Sequence, residues 1–123
     1  MDTQTSARDE IIELVELFFD CLVSGDLDRL PVASSFTVQS PLTPPLSGED
    51  AIDYVKAVST AARRITVLEH IVEDNRVATL LDEEVGEVTL RVFSKFRVDN
   101  GQISDVRVFY DPRVLEAATR SPR

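Results

Sequence analysis

Residues 87–98 of this chain, Glu-Val-Thr-Leu-Arg-Val-Phe-Ser-Lys-Phe-Arg-Val, alternate between two chemistries. Val88, Leu90, Val92, Ser94, Phe96 and Val98 form one set; Glu87, Thr89, Arg91, Phe93, Lys95 and Arg97 form the other. A period of two is the pattern of a strand with one face buried and one solvated, and it argues against an amphipathic helix over this stretch. Asp99-Asn100-Gly101 supplies a turn, and Gln102 to Tyr110 runs back with Val106, Val108 and Tyr110 on one side and Asp105, Arg107 and Phe109 on the other. A three-residue loop with Gly101 in the left-handed region keeps the faces matched. In that register Lys95 faces Asp105 and Phe93 faces Arg107 outside, while Ser94 faces Val106, Val92 faces Val108 and Leu90 faces Tyr110 inside. Ser94 is then the one small polar residue on an apolar wall.

A length of 123 residues sets a single domain, 1–123, able to bury one core without disulfide staples. The net charge of −9 opposes nucleic-acid binding, which needs a basic footprint. No apolar run approaches a membrane span, and the first residues lack the basic start and apolar stretch of a signal peptide. With a single cysteine, Cys21, no internal disulfide can form, so the cytoplasm is the expected compartment. Eleven arginines against two lysines suggest a GC-rich bacterial genome.

Residues 6–24 read as a helix, with Ser6 and Asp9 as a capping pair and Ile11, Leu14, Val15, Phe18 and Leu22 at helical spacing. Asp26–Leu30 reads as a short second helix and Phe36–Ser40 as a strand. Pro41–Leu46, with three prolines, reads as a stiff loop. Ser47 and Asp50 make a second capping pair for a helix running to about Arg63. Strands are expected over 65–73, 76–85, 87–98 and 102–110, joined by tight turns. Helices in one block and a meander in the next predict an α+β fold.

The order of elements and several local signatures resemble the NTF2-like superfamily, and within it SnoaL-like and ketosteroid-isomerase-like proteins. The matching pieces are Leu22-Val23-Ser24-Gly25-Asp26, Ser40-Pro41, Leu46-Ser47-Gly48-Glu49-Asp50-Ala51-Ile52, Val98-Asp99-Asn100-Gly101-Gln102-Ile103 and Phe109-Tyr110-Asp111-Pro112. The resemblance implies a cone, in which a curved antiparallel sheet wraps the N-terminal helices and leaves a pocket at one end. It also implies a homodimer through the convex sheet face, where Phe93 and Phe109 would lie. Steroid-isomerase members carry a base aspartate, an acid aspartate and an oxyanion tyrosine at positions that match Ser40, Ser94 and Phe18 here. Serine is too weak an acid to replace an aspartate base, so that activity is not expected. Related cyclases and epoxide hydrolases place an Asp or His in the cone, sometimes with an Arg between two carboxylates. Arg91 and Arg107 read as outward-facing, which leaves no such set.

The expected pocket lining is Phe18, Leu22, Phe36, Val38, Ser40, Tyr54, Leu81, Val92, Ser94, Val106, Val108 and Tyr110. Candidates for acid/base chemistry are His70, the only histidine, Asp111 at the pocket rim, Tyr54 as a donor to a ligand carbonyl, and Glu83 as a carboxyl whose burial would raise its pKa. Each has a plainer reading: a structural histidine, turn chemistry at Asp-Pro, packing of a tyrosine, a solvated hairpin-end acid. No His, Cys and carboxylate spacing suggests a metal, and no glycine-rich phosphate loop is present, so no cofactor is expected. The chain reads as the binder of a small, mostly apolar molecule of polyketide or terpenoid type. It would be either an acid/base cyclase, isomerase or epoxide hydrolase, or a non-catalytic binding or dimeric accessory protein.

Overall fold

The computed structural model describes the backbone of residues 3–119 and the side chains of residues 7–116. In chain order it contains α1 (Thr3–Ser24), a 3-10 turn (Leu27–Arg29), β1 (Val32–Ser40), β2 (Thr43–Ser47), α2 (Gly48–Ala61), β3 (Ala62–Glu73), β4 (Arg76–Val85), β5 (Val88–Asp99), β6 (Gln102–Phe109) and α3 (Pro112–Thr119). The six strands form one open sheet in the order β2-β1-β6-β5-β4-β3. β1 and β6 run parallel and every other neighbouring pair is antiparallel. The architecture is the expected α+β one.

Several local expectations need correction. α1 begins at Thr3, before the Ser6 start, and the Ser6 side chain lies outside the described residues. Ser47 is the residue that precedes α2, but its side chain makes no capping bond; Glu49 and Asp50 instead favour the positive end of the helix dipole. The proline segment is not a loop throughout, because Thr43–Ser47 pairs with β1 as β2. β2 is an edge strand, where the missing N–H groups of Pro44 and Pro45 can go without a partner. α3 has no counterpart among the expected elements. Its sequence signal is Asp111-Pro112, a capping acid before a proline at the first helical position, and Asp111 Oδ1 accepts from the Arg113 N–H at 3.0 Å.

The final hairpin turns differently from the expected three-residue loop. Asp99 pairs with Gln102 across a two-residue turn, Asn100-Gly101, whose φ values are 53° and 74°. Such a turn matches the twist of the strands. The face mismatch it would cause is cancelled by a bulge: Val98 pairs with Ile103, Arg97 with Asp105, and Ser104 is the extra residue. Ser104 Oγ bonds Asp99 Oδ2 at 2.6 Å and the Arg97 carbonyl at 3.3 Å, which pins the bulge. The inner pairs are therefore Phe96 with Val106 and Ser94 with Val108. The outer ones are Lys95 with Arg107 and Phe93 with Phe109.

A second bulge settles β3. Val67 pairs with Leu81, but Glu69 pairs with Leu80, so Leu68 is extra and parity switches there. Ile65 and Val67 face the core before it, and His70 and Val72 after it. This explains why β3 carries apolar residues on both sequence parities.

α1 lies across the concave face. Phe18 and Phe19 each meet Phe96 edge-on, with ring centroids 5.5 Å apart, and Phe18 also meets Phe36. These rings, with Val15, Val77 and Ile103, close one end of the cone. α2 roofs the other end.

Candidate functional site

The open end of the cone holds a cavity of about 240 Å³. Its floor is the inner face of β4, β5 and β6: Leu81, Glu83 and Val85, then Leu90, Val92, Ser94 and Phe96, then Val106 and Val108. Val38, Leu42 and Tyr110 flank it. Phe18, Phe19 and Leu22 of α1 make the deep wall, and Tyr54, Val55, Ala57, Val58 and Ala61 of α2 the roof. The α2 contribution follows from spacing, since positions 54, 58 and 61 lie on one helical stripe. Leu115 brings α3 to the mouth. Among the described residues the lining is apolar except for Glu83, Ser94, Tyr54 and Tyr110, and no cationic side chain belongs to it.

Glu83 is the chemically distinct member. It lies on the inward parity of β4, opposite Ile65 and Leu90, so its carboxyl is surrounded by aliphatic side chains. Burial raises its pKa from 4.5 to about 6, because the charged form loses water that nothing replaces. Burial also raises the phenols of Tyr54 and Tyr110, and the Glu83 charge adds to the rise in both. The Ser40 hydroxyl opposes it by hydrogen bonding toward each phenol. Near neutral pH the site therefore combines a carboxylate that can take a proton with two phenols that keep theirs.

The other expected residues are placed as follows. Phe18, Leu22, Val38, Tyr54, Leu81, Val92, Ser94, Val106, Val108 and Tyr110 line the cavity. Phe36 does not: it faces inward but lies beneath α1 at the closed end, 2% exposed. Ser40 is buried just behind the lining, where its Oγ meets Thr43 Oγ1 at 3.1 Å and accepts from the Leu42 N–H at 3.3 Å. His70 does not reach the cavity. Its Nδ1 lies 2.8 Å from Thr79 Oγ1 and its Nε2 lies 3.2 Å from Glu16 Oε2, so it ties α1 to the sheet. Asp111 also stays outside. The Arg113 guanidinium and N–H hold its carboxyl below the usual range, as expected of an ion-paired helix cap and not of a proton donor. Phe19, Leu42, Val55, Ala57, Val58, Ala61, Val85, Leu90, Phe96 and Leu115 line the cavity in addition to the expected set. Among the described residues no group of three His, Cys, Asp or Glu could hold a metal ion, and no helix is long and apolar enough to cross a membrane.

A family profile described as "Domain of unknown function (DUF4904)" matches residues 5–121. No curated protein matches the chain. Among solved structures it is similar to a protein of Jannaschia sp. CCS1, provisionally named a SnoaL-like polyketide cyclase, at 18% identity and a TM-score of 0.79, with 94% of each chain covered. It is similar to an NTF2-like protein of unknown function from Cytophaga hutchinsonii ATCC 33406, at 20% identity and a TM-score of 0.75, covering 86% of this chain and 94% of that one. An epoxide hydrolase of M. tuberculosis, described as LEH-like, aligns at 17% identity and a TM-score of 0.72, with 91% of each chain covered. At these identities the likeness is one of fold, and that fold is NTF2-like.

Proposed function

We propose, from the premise that the chain belongs to the DUF4904 family, that its cone binds a small, mostly apolar molecule and that Glu83 moves a proton on it. The observation that carries this reading is the placement of Glu83: among the described lining residues it is the one carboxyl, and its pKa of about 6 suits proton transfer near neutrality. A base of this strength beside two phenols fits removal of a proton from carbon next to a carbonyl. Tyr54 or Tyr110 would donate to the oxygen that gains charge, and Glu83 would return the proton elsewhere. Isomerisation and ring closure of a carbonyl compound both use these steps. Fold neighbours named as a polyketide cyclase and an epoxide hydrolase support a small-molecule role for such a cone. Epoxide hydrolysis is less well supported here, because no arginine joins the lining to position a pair of carboxylates.

The test is hydrogen exchange of 3-cyclohexen-1-one in D2O followed by proton NMR. The wild type should accelerate exchange at the carbons beside the carbonyl, and Glu83→Gln should lose about two orders of magnitude of that acceleration. Equal rates for the two proteins would remove the catalytic reading. The second reading, binding without chemistry, is favoured by the serines at positions 40 and 94, where isomerases of this fold carry aspartates.

The convex face supports a further proposal, a homodimer. Phe93 and Phe109 are paired there at 40% and 54% exposure, and Ile71 is also exposed on that face.

A further inference from the structure

The cavity floor carries a hydroxyl with nothing to bond. Ser94 is 3% exposed and lines the cavity, yet its hydroxyl makes no hydrogen bond to another described residue. Its oxygen is not sealed in the packing, since no sealed side-chain N or O lacks a partner; it opens onto the cavity. Its inward cross-strand neighbours are Thr79 and Val108. The Thr79 hydroxyl is engaged by His70 Nδ1, and Val108 has no polar group. A hydroxyl that faces the cavity and has no protein partner is free to bond a polar group that enters it.

Ser94 is also set apart from the other polar groups. It lies four residues along β5 from Leu90, which pairs with Glu83, so the two levels are about 13 Å apart along the strand. Tyr110 lies between them, next in line after Val108. The cavity therefore offers a carboxyl at one end, phenols on a side wall and a lone hydroxyl at the other end, with aliphatic and aromatic surface between. No cation among the described lining residues would neutralise an anionic ligand, and Glu83 repels one.

Resting on the reading of this cavity as a ligand site, we propose that Ser94 is a specificity-determining residue that selects an uncharged ligand with a second oxygen function at the end remote from Glu83. The ligand class is a neutral keto-alcohol or diketone with an apolar body.

Three probes of similar size test this by titration calorimetry: 4-isopropylcyclohexanone, 4-(2-hydroxypropan-2-yl)cyclohexanone and 4-oxocyclohexanecarboxylate. The wild type should bind the hydroxy-ketone about five- to tenfold more tightly than the plain ketone, the gain of one neutral hydrogen bond, and the carboxylate most weakly. Ser94→Ala should abolish the hydroxyl preference while leaving affinity for the plain ketone. Its ligand-free melting temperature should be unchanged or higher, a result that a structural role for the hydroxyl would not produce. Glu83→Gln should keep the hydroxyl preference and improve carboxylate binding. A hydroxyl preference that survives Ser94→Ala, or a wild type that binds both neutral probes equally, overturns the role of Ser94 and leaves the cavity reading standing. If neither neutral probe binds, the cavity reading falls and this inference falls with it.

Discussion

Phe93 and Phe109 are direct cross-strand partners on the convex face, a pairing set by the two-residue turn at the far end of the hairpin together with the bulge at Ser104. The same register places Lys95 opposite Arg107, two like charges side by side. Arg107 Nε turns to its strand neighbour Asp105 at 3.4 Å. The exposed aromatic pair is the surface on which the proposed dimer rests.

The dimer is tested by light scattering on the eluting protein. The wild type should elute as a dimer, and Phe109→Asp should weaken association by at least about thirtyfold, the loss of one aromatic anchor of roughly 2 kcal/mol. The substitution faces away from the cavity, so ligand affinity should not change. A wild type that stays monomeric at high concentration would end the proposal.

Gly101→Ala measures the turn. At φ 74° an L-residue carries left-handed strain, and a Cβ there would meet nothing within 4 Å, so no clash confuses the result. The variant should lose about 1–2 kcal/mol in urea unfolding. No loss would mean that position 101 carries no left-handed strain, and would contradict the Asn100-Gly101 turn.

Glu83 gives stability a pH dependence of a defined sign. Its folded pKa of about 6 exceeds its ordinary 4.5, so between these values the folded state holds the proton more tightly. Its contribution is most favourable below pH 4.5 and declines as pH rises through 6. Glu83→Gln should therefore be more stable than the wild type at pH 8, by up to about 2 kcal/mol, and the gap should shrink toward pH 4. Urea melts at the two pH values check this, and a gap that widens in acid would contradict the burial of the carboxyl.

His70→Ala separates scaffold from chemistry. A carboxylate can only accept, so Nε2–H donates to Glu16, and in the neutral ring Nδ1 accepts from the Thr79 hydroxyl. Removing the ring strands the Thr79 hydroxyl, which is 0% exposed, and should cost about 1–3 kcal/mol. The exchange rate of 3-cyclohexen-1-one should stay within about twofold of wild type below the melting range. A large rate loss in a stable His70→Ala protein would return His70 to the site.

The sequence by itself determined what depends on local periodicity. Positions 88–98 alternate in the structure as they do in the chain, and Leu90, Val92, Ser94, Phe96 and Val98 are all buried. The stripe of α1, the strand-rich second half and the apolar character of the pocket follow from the same signal, because the two sides of a strand or helix are set by spacing alone. Only the tertiary structure decided the features that depend on a single extra residue or on depth. Bulges at Leu68 and Ser104 have no residue-type signature, yet one turns His70 inward toward α1 and the other shifts the final hairpin by one position. Phe36 and Val38 share an inward face, but α1 covers the first and the cavity opens at the second, since a face says nothing of position along the cone. Glu83 and Asp111 are both acids at strand ends by sequence. Aliphatic neighbours from β3 and β5 raise the pKa of the first, while Arg113 holds the carboxyl of the second below the usual range as a helix cap, because an acid's ionisation depends on which groups the fold brings against it.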